Sequence, residues 1–476
     1  MSIEPSQLLK WEQEENLFEI KVNDIPVWER VRVSIFKNIK RRSGLGQAHS
    51  TNEVNKNDYI YAVSQLLKNS VVRNPYFASK SDIMFFGGSR KKQDDGDWWD
   101  IYFDSVRQQI TLDSIHLERS PGIVNTHSIP MNNVRYTDLI KYGSLLARKL
   151  NFGYPDIPND IEYKLHNISE KINQQFDTEV DVHYLVERSL HLRNLRLNAY
   201  KRLIKQTDPK VVIILPGYGN ETLIEACNHL DIPIVEFQHG VISKYHFGYA
   251  YPGDRKKEFF ADYLFTFGEF WGEQTEFPIP NNRVIPVGYP HLEQSVEKYK
   301  NTKSLNQILF ISQGTIGEEL SKFAVRVAQH PEIHHNVVYK LHPGEYNRWQ
   351  EDYPWLRDVN FRIIDSNELP LHRLFAESRA QVGVYSTAIF EGLNFNLDTY
   401  IYDGFDSDVV NSIIESGAIS SIIEQGAATK LTTGDELASD IKSSKYSFDS
   451  DYYFKSGPIK NIENSLNSII NSQSET

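Results

Sequence analysis

Two histidines in this sequence stand where an imidazole could do chemistry. The first, His239, lies in the run Glu236-Phe237-Gln238-His239-Gly240, at the end of a short apolar segment. Because an imidazole titrates near neutral pH, His239 is a candidate general base, with Glu236 and Gln238 as candidate catalytic partners. A histidine whose ring is simply satisfied within a loop explains the same residues, so both interpretations stay open at this point.

The second histidine, His342, belongs to the run Lys340-Leu341-His342-Pro343-Gly344. Proline fixes the backbone there, and the imidazole stands just before a predicted helix, whose first N–H groups can hold a phosphate. The alternative is a turn in which proline and glycine are purely structural. His342 and Pro343 are candidate ligand-binding residues, and Lys340 lies beside them.

Two further loops carry amide or hydroxyl groups behind apolar segments. One contains Gln313 and Gly314, where the glycine lets a ligand approach the backbone. The other contains Ser386 and Thr387, followed one turn later by Glu391. Hydroxyls and free N–H groups at a helix start could bind an anion, and Glu391 could accept hydrogen bonds from a ribose. A simple N-cap explains Ser386 equally well.

The segments around these loops alternate between strand-like and helix-like patterns. Continuous apolar runs such as Val211–Leu215, 232–237 and Gln307–Ile311 are separated by amphipathic stretches. This alternation is typical of parallel sheets covered by helices on both faces, which bind ligands at the carboxyl ends of their strands. The sequence predicts an α/β protein of two Rossmann-like doubly wound domains with a cleft between them.

A chain of 476 residues exceeds the size of one hydrophobic core, so at least two domains are expected. We predict a helical N-terminal extension over 1–75, a first Rossmann-like domain over 76–300 and a second over 301–476. Within the first domain we predict a helix over 98–109 and a helical insertion near 135–205. The polar stretch 293–304 is the predicted linker between the domains.

Charge and cysteine content restrict the class of protein. A net charge of -12 argues against a general nucleic-acid binder. The single cysteine excludes an internal disulfide framework, and the N-terminus lacks the apolar stretch of a signal peptide, so a cytoplasmic protein is expected. The basic cluster Lys37, Lys40, Arg41 and Arg42 is compatible with contact to the inner face of a membrane, although a solvated helix end explains it too.

Two Asp-Ser-Asp triplets, at 406–408 and 449–451, contain paired acidic residues. Paired carboxylates can hold a divalent ion against a diphosphate. Helix caps or polar loops explain both triplets, however, and we expect no metal site.

Taken together, three motifs resemble those of bacterial surface-polysaccharide transferases of the GT-B fold. They are the Gln-His-Gly run at 238–240, the Lys-Leu-His-Pro run at 340–343, and the Tyr-Ser-Thr run at 385–387 with Glu391. They are similar in particular to the capsule and lipopolysaccharide enzymes that use CMP-activated acidic sugars of the sialic, pseudaminic or Kdo type. The resemblance covers about 210–402 and lies in the order and spacing of the motifs.

The resemblance implies roles for individual residues. Family members often carry two acidic residues and a glycine where this chain has the 238–240 run, and the second acid is catalytic. Here His239 takes that place, which favours an inverting single displacement with His239 as the general base. The residues that the resemblance implies in donor binding are His342, Pro343, Ser386 and Thr387, with Lys340 and Glu391 as weaker additions. Gln313 and Gly314 are candidates from the position of their own loop.

The resemblance therefore implies a nucleotide-sugar-dependent glycosyltransferase that moves a nonulosonic or Kdo-type sugar from CMP to a surface polysaccharide or glycolipid. No cofactor is obligatory, because CMP leaves with one phosphate whose charge His342 and helix dipoles could neutralise. A similar His-Gly element occurs in the CDP-glycerol-dependent transferases of teichoic-acid synthesis. A CDP-polyol donor, a UDP-sugar donor and a non-catalytic GT-B-like scaffold are the alternatives.

Overall fold

The computed structural model describes most of the chain. The described residues are 5–42, 64, 67–87, 91–94, 97–118, 133–251, 253, 257–406, 410–411, 414–415, 417–442 and 448–473. Part of the 406–408 triplet lies outside this range, as do the side chains at 40–42 of the basic cluster. Within the described residues, no helix is long and apolar enough to cross a membrane.

Among the described residues, the N-terminal extension begins with two helices and a small hairpin, and residues 67–72 are also helical. The elements are α1 (Pro5–Glu14), β1 (Lys21–Val22), β2 (Ile25–Pro26) and α2 (Trp28–Arg42). Asn23 and Asp24 form the turn between the strands, with φ of 48° and 65°. These residue types tolerate the left-handed region that a two-residue hairpin turn requires, so a hairpin interrupts the helices predicted over 1–75.

The first domain begins with a strand whose residues are all apolar or glycine. Its elements up to the insertion are β3 (Ile83–Gly87), β4 (Lys91–Asp94), β5 (Asp97–Asp100), α3 (Asp104–Gln109), β6 (Ser114–Glu118) and β7 (Val134–Tyr136). The helix predicted over 98–109 is wrong in its first half, because β5 pairs there with β4 in an antiparallel hairpin.

The region of the predicted insertion near 135–205 is mostly helical. Its helices are α4 (Asp138–Lys149), α5 (Asn159–Phe176) and α6 (Val182–Thr207). Apolar residues of α5 and α6, such as Leu165 and Val186, form one buried cluster with Leu17, Trp28 and Ile35 of the extension. The extension therefore packs against the first domain through a shared core.

The first domain continues with β8 (Val211–Leu215), α7 (Glu221–Asn228), β9 (Ile234–Phe237), β10 (Tyr263–Thr266), α8 (Glu269–Gly272), β11 (Val284–Pro286) and α9 (Pro290–Tyr299). Seven parallel strands form its sheet in the order β11-β10-β9-β8-β3-β6-β7. The linker predicted over 293–304 is wrong in its first part, since α9 continues to Tyr299. Its residues Leu292 and Ser295 are buried, so the polar sequence is an amphipathic helix.

The second domain repeats the alternation. Its elements are β12 (Gln307–Ile311), α10 (Gly317–Ala328), β13 (Asn336–Lys340), α11 (Trp349–Asp352), β14 (Arg362–Ile364), α12 (Leu371–Glu377), β15 (Ala380–Gly383), α13 (Thr387–Leu393), β16 (Asp398–Tyr402), α14 (Ala418–Glu424), β17 (Thr429–Leu431), α15 (Gly434–Asp440), α16 (Ser450–Tyr453) and α17 (Pro458–Gln473). Six parallel strands form the order β14-β13-β12-β15-β16-β17.

Both sheets reverse their strand order at one point, between β3 and β8 in the first and between β12 and β15 in the second. This reversal is characteristic of doubly wound sheets and opens a crevice at the carboxyl ends of the two strands. The predicted fold class of two Rossmann-like, doubly wound α/β domains with N-terminal helical additions is confirmed.

The last helix, α17, returns to the first domain although it follows the second in sequence. The backbone N–H and hydroxyl of Thr111 both donate to Glu463, and Gln473 donates to the Asp231 carbonyl. The chain therefore links the two domains both at 300–306 and through the segment that ends in α17.

Candidate functional site

The loop that follows β9 places His239 among three tyrosine hydroxyls. The Tyr218 hydroxyl lies 2.7 Å from Nε2, and the Tyr249 hydroxyl lies 3.0 Å from Nδ1. The Tyr102 hydroxyl donates to the His239 carbonyl oxygen at 2.6 Å. The ring and the backbone of His239 are therefore held by side chains from three separate parts of the sequence.

Glu236, in β9, lies behind this cluster. Its side chain is buried, and the Tyr249 hydroxyl donates to Oε1 at 2.9 Å. Burial raises the pKa of Glu236 to about 7, although hydrogen bonds from the Gly217 N–H and from Tyr249 favour the ionised form. A Cβ at position 217 would lie 2.3 Å from Glu236 Oε2, so only glycine lets the backbone approach the carboxylate this closely.

The chain of hydrogen bonds from Glu236 through Tyr249 and His239 to Tyr218 has a definite direction when Glu236 is ionised. Tyr249 gives its single proton to Glu236, so it accepts a hydrogen bond from Nδ1–H of His239. Nε2 is then the unprotonated nitrogen and accepts from Tyr218. Burial raises the pKa of Tyr249 well above its ordinary value, and the Glu236 charge adds to this, so the phenol stays protonated. The basic atom of the cluster is Nε2.

Gln238 fixes the path of the loop that carries His239. Its Oε1 accepts a hydrogen bond from the Phe267 N–H at 2.7 Å, and its Nε2 donates to the Gly240 carbonyl at 2.8 Å. The side chain is buried, and both of its polar ends bind backbone. The structure thus places Gln238 below the loop, where it supports His239 through the main chain.

The second domain meets this loop at residues that the sequence singles out. A Cβ on Gly240 would lie 3.5 Å from Oγ1 of Thr387, the first residue of α13. Ser386 caps the same helix, because its side chain accepts from the Ala388 N–H at 3.2 Å. The loop after β9 and the start of α13 therefore face each other across the cleft.

Gln313, Gly314, Ser386 and Thr387 lie in the two loops at the strand-order reversal of the second sheet. The side-chain oxygen of Gln313 accepts from the Tyr385 N–H at 3.4 Å. Each of these four residues is half-buried. The strand-order reversal between β12 and β15 thus brings together two groups of residues that lie far apart in sequence.

His342 begins a short 3-10 helix, Pro343–Glu345, on the other side of β12. Its Nδ1 accepts from the Gly344 N–H at 3.1 Å, and its own N–H donates to Glu345 Oε2 at 2.6 Å. This reciprocal capping box holds the imidazole at the rim of the sheet.

Glu345 joins this loop to the loop after β12. The side chain is fully buried and its Oε1 accepts from the Ser312 hydroxyl at 3.0 Å and from the Tyr353 hydroxyl at 2.6 Å. A Cβ at position 317 would lie 2.3 Å from the same oxygen, so Gly317 permits this approach. One buried carboxylate therefore sets the relative position of two predicted ligand-binding loops.

Two residues predicted near the donor bind groups of their own domain. The ammonium of Lys340 donates to two backbone carbonyls at 3.1 and 3.2 Å and to the Tyr346 hydroxyl. Burial lowers the pKa of Lys340 to about 8. Glu391 is buried, and its Oε2 lies 2.9 Å from Nε2 of His372. Both side chains are placed to shape the loops.

Three residues of the candidate site were not predicted from the sequence: Tyr102 and Tyr249 beside His239, and Glu345 in the second domain. Tyr249 follows His239 by 10 positions within an irregular loop, Tyr102 precedes it by 137, and Glu345 lies beyond the Pro-Gly turn it stabilises. A buried tyrosine in a loop carries no periodic signal, so nothing in the sequence distinguishes Tyr102 or Tyr249. For Glu345 the sequence does carry a signal, because it follows His342 by three residues, the spacing of a capping box.

Within the described ranges, no three His, Cys, Asp or Glu side chains group closely enough to hold a metal ion. In the 449–451 triplet, Asp449 caps α16 by accepting from the Asp451 N–H at 3.0 Å. The helix-cap interpretation of this triplet is confirmed.

No family model and no curated protein matches the chain. Among solved structures, UDP-GlcNAc 2-epimerase from Methanocaldococcus jannaschii is 10% identical with a TM-score of 0.46, over 81% of this chain and 99% of that one. The same enzyme from Neisseria meningitidis, bound to UDP-GlcNAc, is 12% identical with a TM-score of 0.44, over 81% and 99%. The wall teichoic acid polymerase TagF is 12% identical with a TM-score of 0.44, over 89% and 100%. Nothing about the chemistry of this chain follows from likenesses of this size.

Proposed function

We propose that this chain is a glycosyltransferase that moves a sugar from a nucleotide to an acceptor hydroxyl in the cleft between its domains. The observation that carries the proposal is the chain of hydrogen bonds from Glu236 through Tyr249 to His239. When Glu236 is ionised, this chain leaves Nε2 of His239 unprotonated, and Nε2 lies in the loop that meets the start of α13. A single displacement without a covalent glycosyl-enzyme requires a base that is held in place opposite the loops that bind the donor.

In this reaction the acceptor hydroxyl takes the place of the Tyr218 hydroxyl, which lies 2.7 Å from Nε2. Nε2 takes the proton as the acceptor oxygen forms a bond to the anomeric carbon. The bond between that carbon and the phosphate oxygen breaks, and the nucleotide leaves with the electron pair. His239 becomes an imidazolium whose Nδ1–H is directed toward Tyr249 and the Glu236 carboxylate. A single displacement of this kind inverts the anomeric centre.

The donor would lie on the second domain. His342, Pro343, Gln313, Gly314, Ser386 and Thr387 flank β12 and β15 at the carboxyl edge of the sheet, where ligands of doubly wound domains bind. Lys340 and Glu391 support these loops through their bonds to Tyr346 and His372. With backbone N–H groups and imidazole at this edge, we propose transfer without an obligatory metal or other cofactor.

For the donor itself we propose a CMP-linked acidic sugar of the nonulosonic or Kdo type, and for the acceptor a surface polysaccharide or glycolipid made at the cytoplasmic face of the membrane. The motifs around His239, His342 and Ser386 support this choice by their resemblance to CMP-sugar transferases. The His-Gly element at 239–240 also supports a CDP-polyol donor as the second candidate. In that case the acceptor oxygen attacks the phosphorus that carries the polyol, and the same base removes the acceptor proton. The P–O bond of the diphosphate breaks, and CMP leaves with the electron pair.

The test is a thermal-shift titration with CMP, CDP, UDP, GDP and ADP, with and without magnesium, because a ligand of the native state raises the melting temperature. Selective stabilisation by CMP that survives EDTA, and that is lost in His342→Ala, is the expected result. Strongest stabilisation by CDP or UDP would replace the CMP-sugar donor by a diphosphate donor. If no nucleotide shifts the melting temperature, the transferase proposal fails in favour of a non-catalytic scaffold.

A further inference from the structure

The segment between β9 and β10 carries Tyr249 without regular structure around it in the described residues. A turn sets its local shape, in which the Tyr249 and Ala250 N–H groups both donate to the His246 carbonyl at 2.8 Å. The Tyr249 hydroxyl nevertheless makes the bonds to Glu236 and His239 that orient the imidazole. The position of this hydroxyl therefore depends on whatever holds the segment.

Arg32, in α2 of the N-terminal extension, holds the segment on both sides of Tyr249. Its Nη1 donates to the Phe247 carbonyl at 2.5 Å, and its Nη2 donates to the Ala250 carbonyl at 3.1 Å. The side chain is 0% exposed. Two backbone groups that flank Tyr249 are thus bound by one rigid, planar donor group.

Glu12, in α1, fixes the guanidinium of Arg32. Its Oε1 accepts from Nε at 2.8 Å and its Oε2 accepts from Nη2 at 2.7 Å, a bidentate pair that is buried on both sides. Trp28 donates its indole N–H to the same carboxylate at 2.8 Å. A buried guanidinium paired in this way has little freedom to move, because its charge is paired and all three of its nitrogens donate hydrogen bonds.

Aromatic packing adds a second connection between α2 and this segment. The ring of Phe36 stacks on that of Phe247, with centroids 4.0 Å apart and planes at 14°. Gly248 packs against Tyr218, where a Cβ would lie 2.3 Å from the ring. The segment therefore contacts both α2 and the tyrosine whose hydroxyl lies beside His239 Nε2.

We propose that the N-terminal helices are a positioning platform for the candidate base: Arg32, fixed by Glu12, sets the place of the Tyr249 hydroxyl and through it the tautomer of His239. The inference rests on the proposed role of His239 and extends it to the extension at 1–75, which has no motif of its own. Arg32 and Glu12 are positioning residues, since they contact the loop and not the reacting atoms. The extension is then required for the chemistry and not only for solubility or stability.

The test compares Arg32→Lys with a matched control, Arg30→Lys, on the same helix. Arg30 is also a buried arginine with a carboxylate partner, Glu225, at 3.3 Å, and it donates to Thr222 at 2.6 Å. Its hydrogen bonds go to α6 and α7, and its guanidinium lies 4.7 Å from the ring centroid of Phe259, ten residues beyond Tyr249. Lysine keeps the charge in both variants but loses the planar fork, so both should lose stability to a similar extent.

Two readouts separate a positioning role from a general loss of stability. The imidazole signals of His239 are followed by NMR on histidine-labelled protein, and His239→Gln identifies them among the 15 histidines. The turnover number kcat and the acid limb of its pH profile are measured with the donor found by the nucleotide titration. In Arg32→Lys we expect an altered tautomer population and a fall in kcat of about tenfold, with KM little changed. In Arg30→Lys we expect neither.

Unchanged His239 signals in a folded Arg32→Lys protein would overturn the proposal, as would equal changes in both variants. If Arg32→Lys does not fold, Phe36→Leu provides the same comparison, because it weakens the contact to Phe247 and leaves the ion pair intact. The NMR readout needs no turnover. If no donor supports transfer, the proposed function has failed, while the signals of His239 still decide whether Arg32 positions it.

Discussion

The two sides of the cleft are built in different ways. On the side of the first domain, His239, Glu236, Tyr249 and Tyr218 bond to one another through their side chains. On the side of the second domain, Ser386 and His342 cap neighbouring backbone, and the buried Glu345 connects two of the binding loops. The first arrangement sets a protonation state, and the second sets the shape of a surface.

This difference matches the needs of the proposed reaction. A general base must have a defined lone pair, which requires buried partners that fix its tautomer. A site for a phosphorylated ligand needs backbone N–H groups and hydroxyls at a fixed edge, which capped loops supply. We therefore expect substitutions on the first side to lower kcat and substitutions on the second side to raise the donor KM, and the following predictions test that division.

The largest effect is expected from His239→Gln. Loss of the base should lower kcat by on the order of 10³–10⁴-fold, while the donor KM changes little, because the donor binds on the other side. The exposed His229 of the same domain gives the control His229→Gln, with unchanged kcat. Steady-state kinetics with saturating acceptor measures both. A His239→Gln enzyme with nearly normal turnover would end the assignment of this residue as the base.

Glu236→Gln should lower kcat by on the order of 10²-fold. The amide of Gln would donate to the Tyr249 hydroxyl, which would then donate to Nδ1 of His239. The ring proton of His239 would lie on Nε2, so Nε2 could no longer act as the base. Since burial raises the pKa of Glu236 to about 7, the carboxyl is protonated below that pH, and wild-type kcat should rise as the pH rises through 7. The variant should lack this acid limb. A pH–rate profile that is identical in the two proteins contradicts the assignment.

The same pKa predicts a change in stability. The folded state holds the Glu236 proton more tightly than the unfolded state, so the free energy of unfolding should fall as the pH rises from about 4.5 to about 7. Glu236→Gln should remove this part of the fall and melt at a higher temperature than wild type at pH 8. Melting curves at pH 5 and pH 8 measure the effect. A variant less stable than wild type at pH 8 would count against the buried, ionised carboxylate.

On the second side, Thr387→Val should raise the donor KM by about tenfold and leave kcat nearly unchanged, because it removes a hydroxyl at the cleft without changing the shape of the side chain. Ser386→Ala should instead lower stability by about 1 kcal/mol, since the hydroxyl caps α13. Kinetics and thermal melts separate the two. A Thr387→Val variant that loses kcat and keeps KM would break the division between the two sides.

The smallest effect on catalysis is expected from Glu345→Gln. The amide nitrogen cannot accept a hydrogen bond, so either the His342 backbone N–H or the Tyr353 hydroxyl loses its acceptor. The free energy of unfolding should therefore fall by about 1–3 kcal/mol, and the donor KM should rise a few fold. Glu351→Gln, at an exposed position nearby, is the control and should change neither. Denaturant unfolding measures the stability. An unchanged KM would mean that the coupling of the two loops is unimportant for donor binding.

Strands of continuous apolar residues could be predicted closely, and Val211–Leu215 and Gln307–Ile311 have the predicted bounds. Elements with mixed polarity could not. The strands of the β4–β5 hairpin have the sequences KKQD and DWWD, which show neither alternating polarity nor a continuous apolar run, so the pattern predicts no strand there. The return of α17 to the first domain is set by the packing of residues such as Leu466, which the local sequence does not specify.

The sequence by itself determined the two doubly wound domains, the loops at their carboxyl edges and the histidines within them, because strand periodicity and Gly-Pro turns are local properties of the chain. Only the tertiary structure decided which partners orient His239, since Tyr102, Tyr218, Tyr249 and Arg32 reach it or its loop from separate elements. A tautomer depends on hydrogen bonds between residues far apart in sequence. Those bonds exist only once the extension, the insertion and the sheet have packed together.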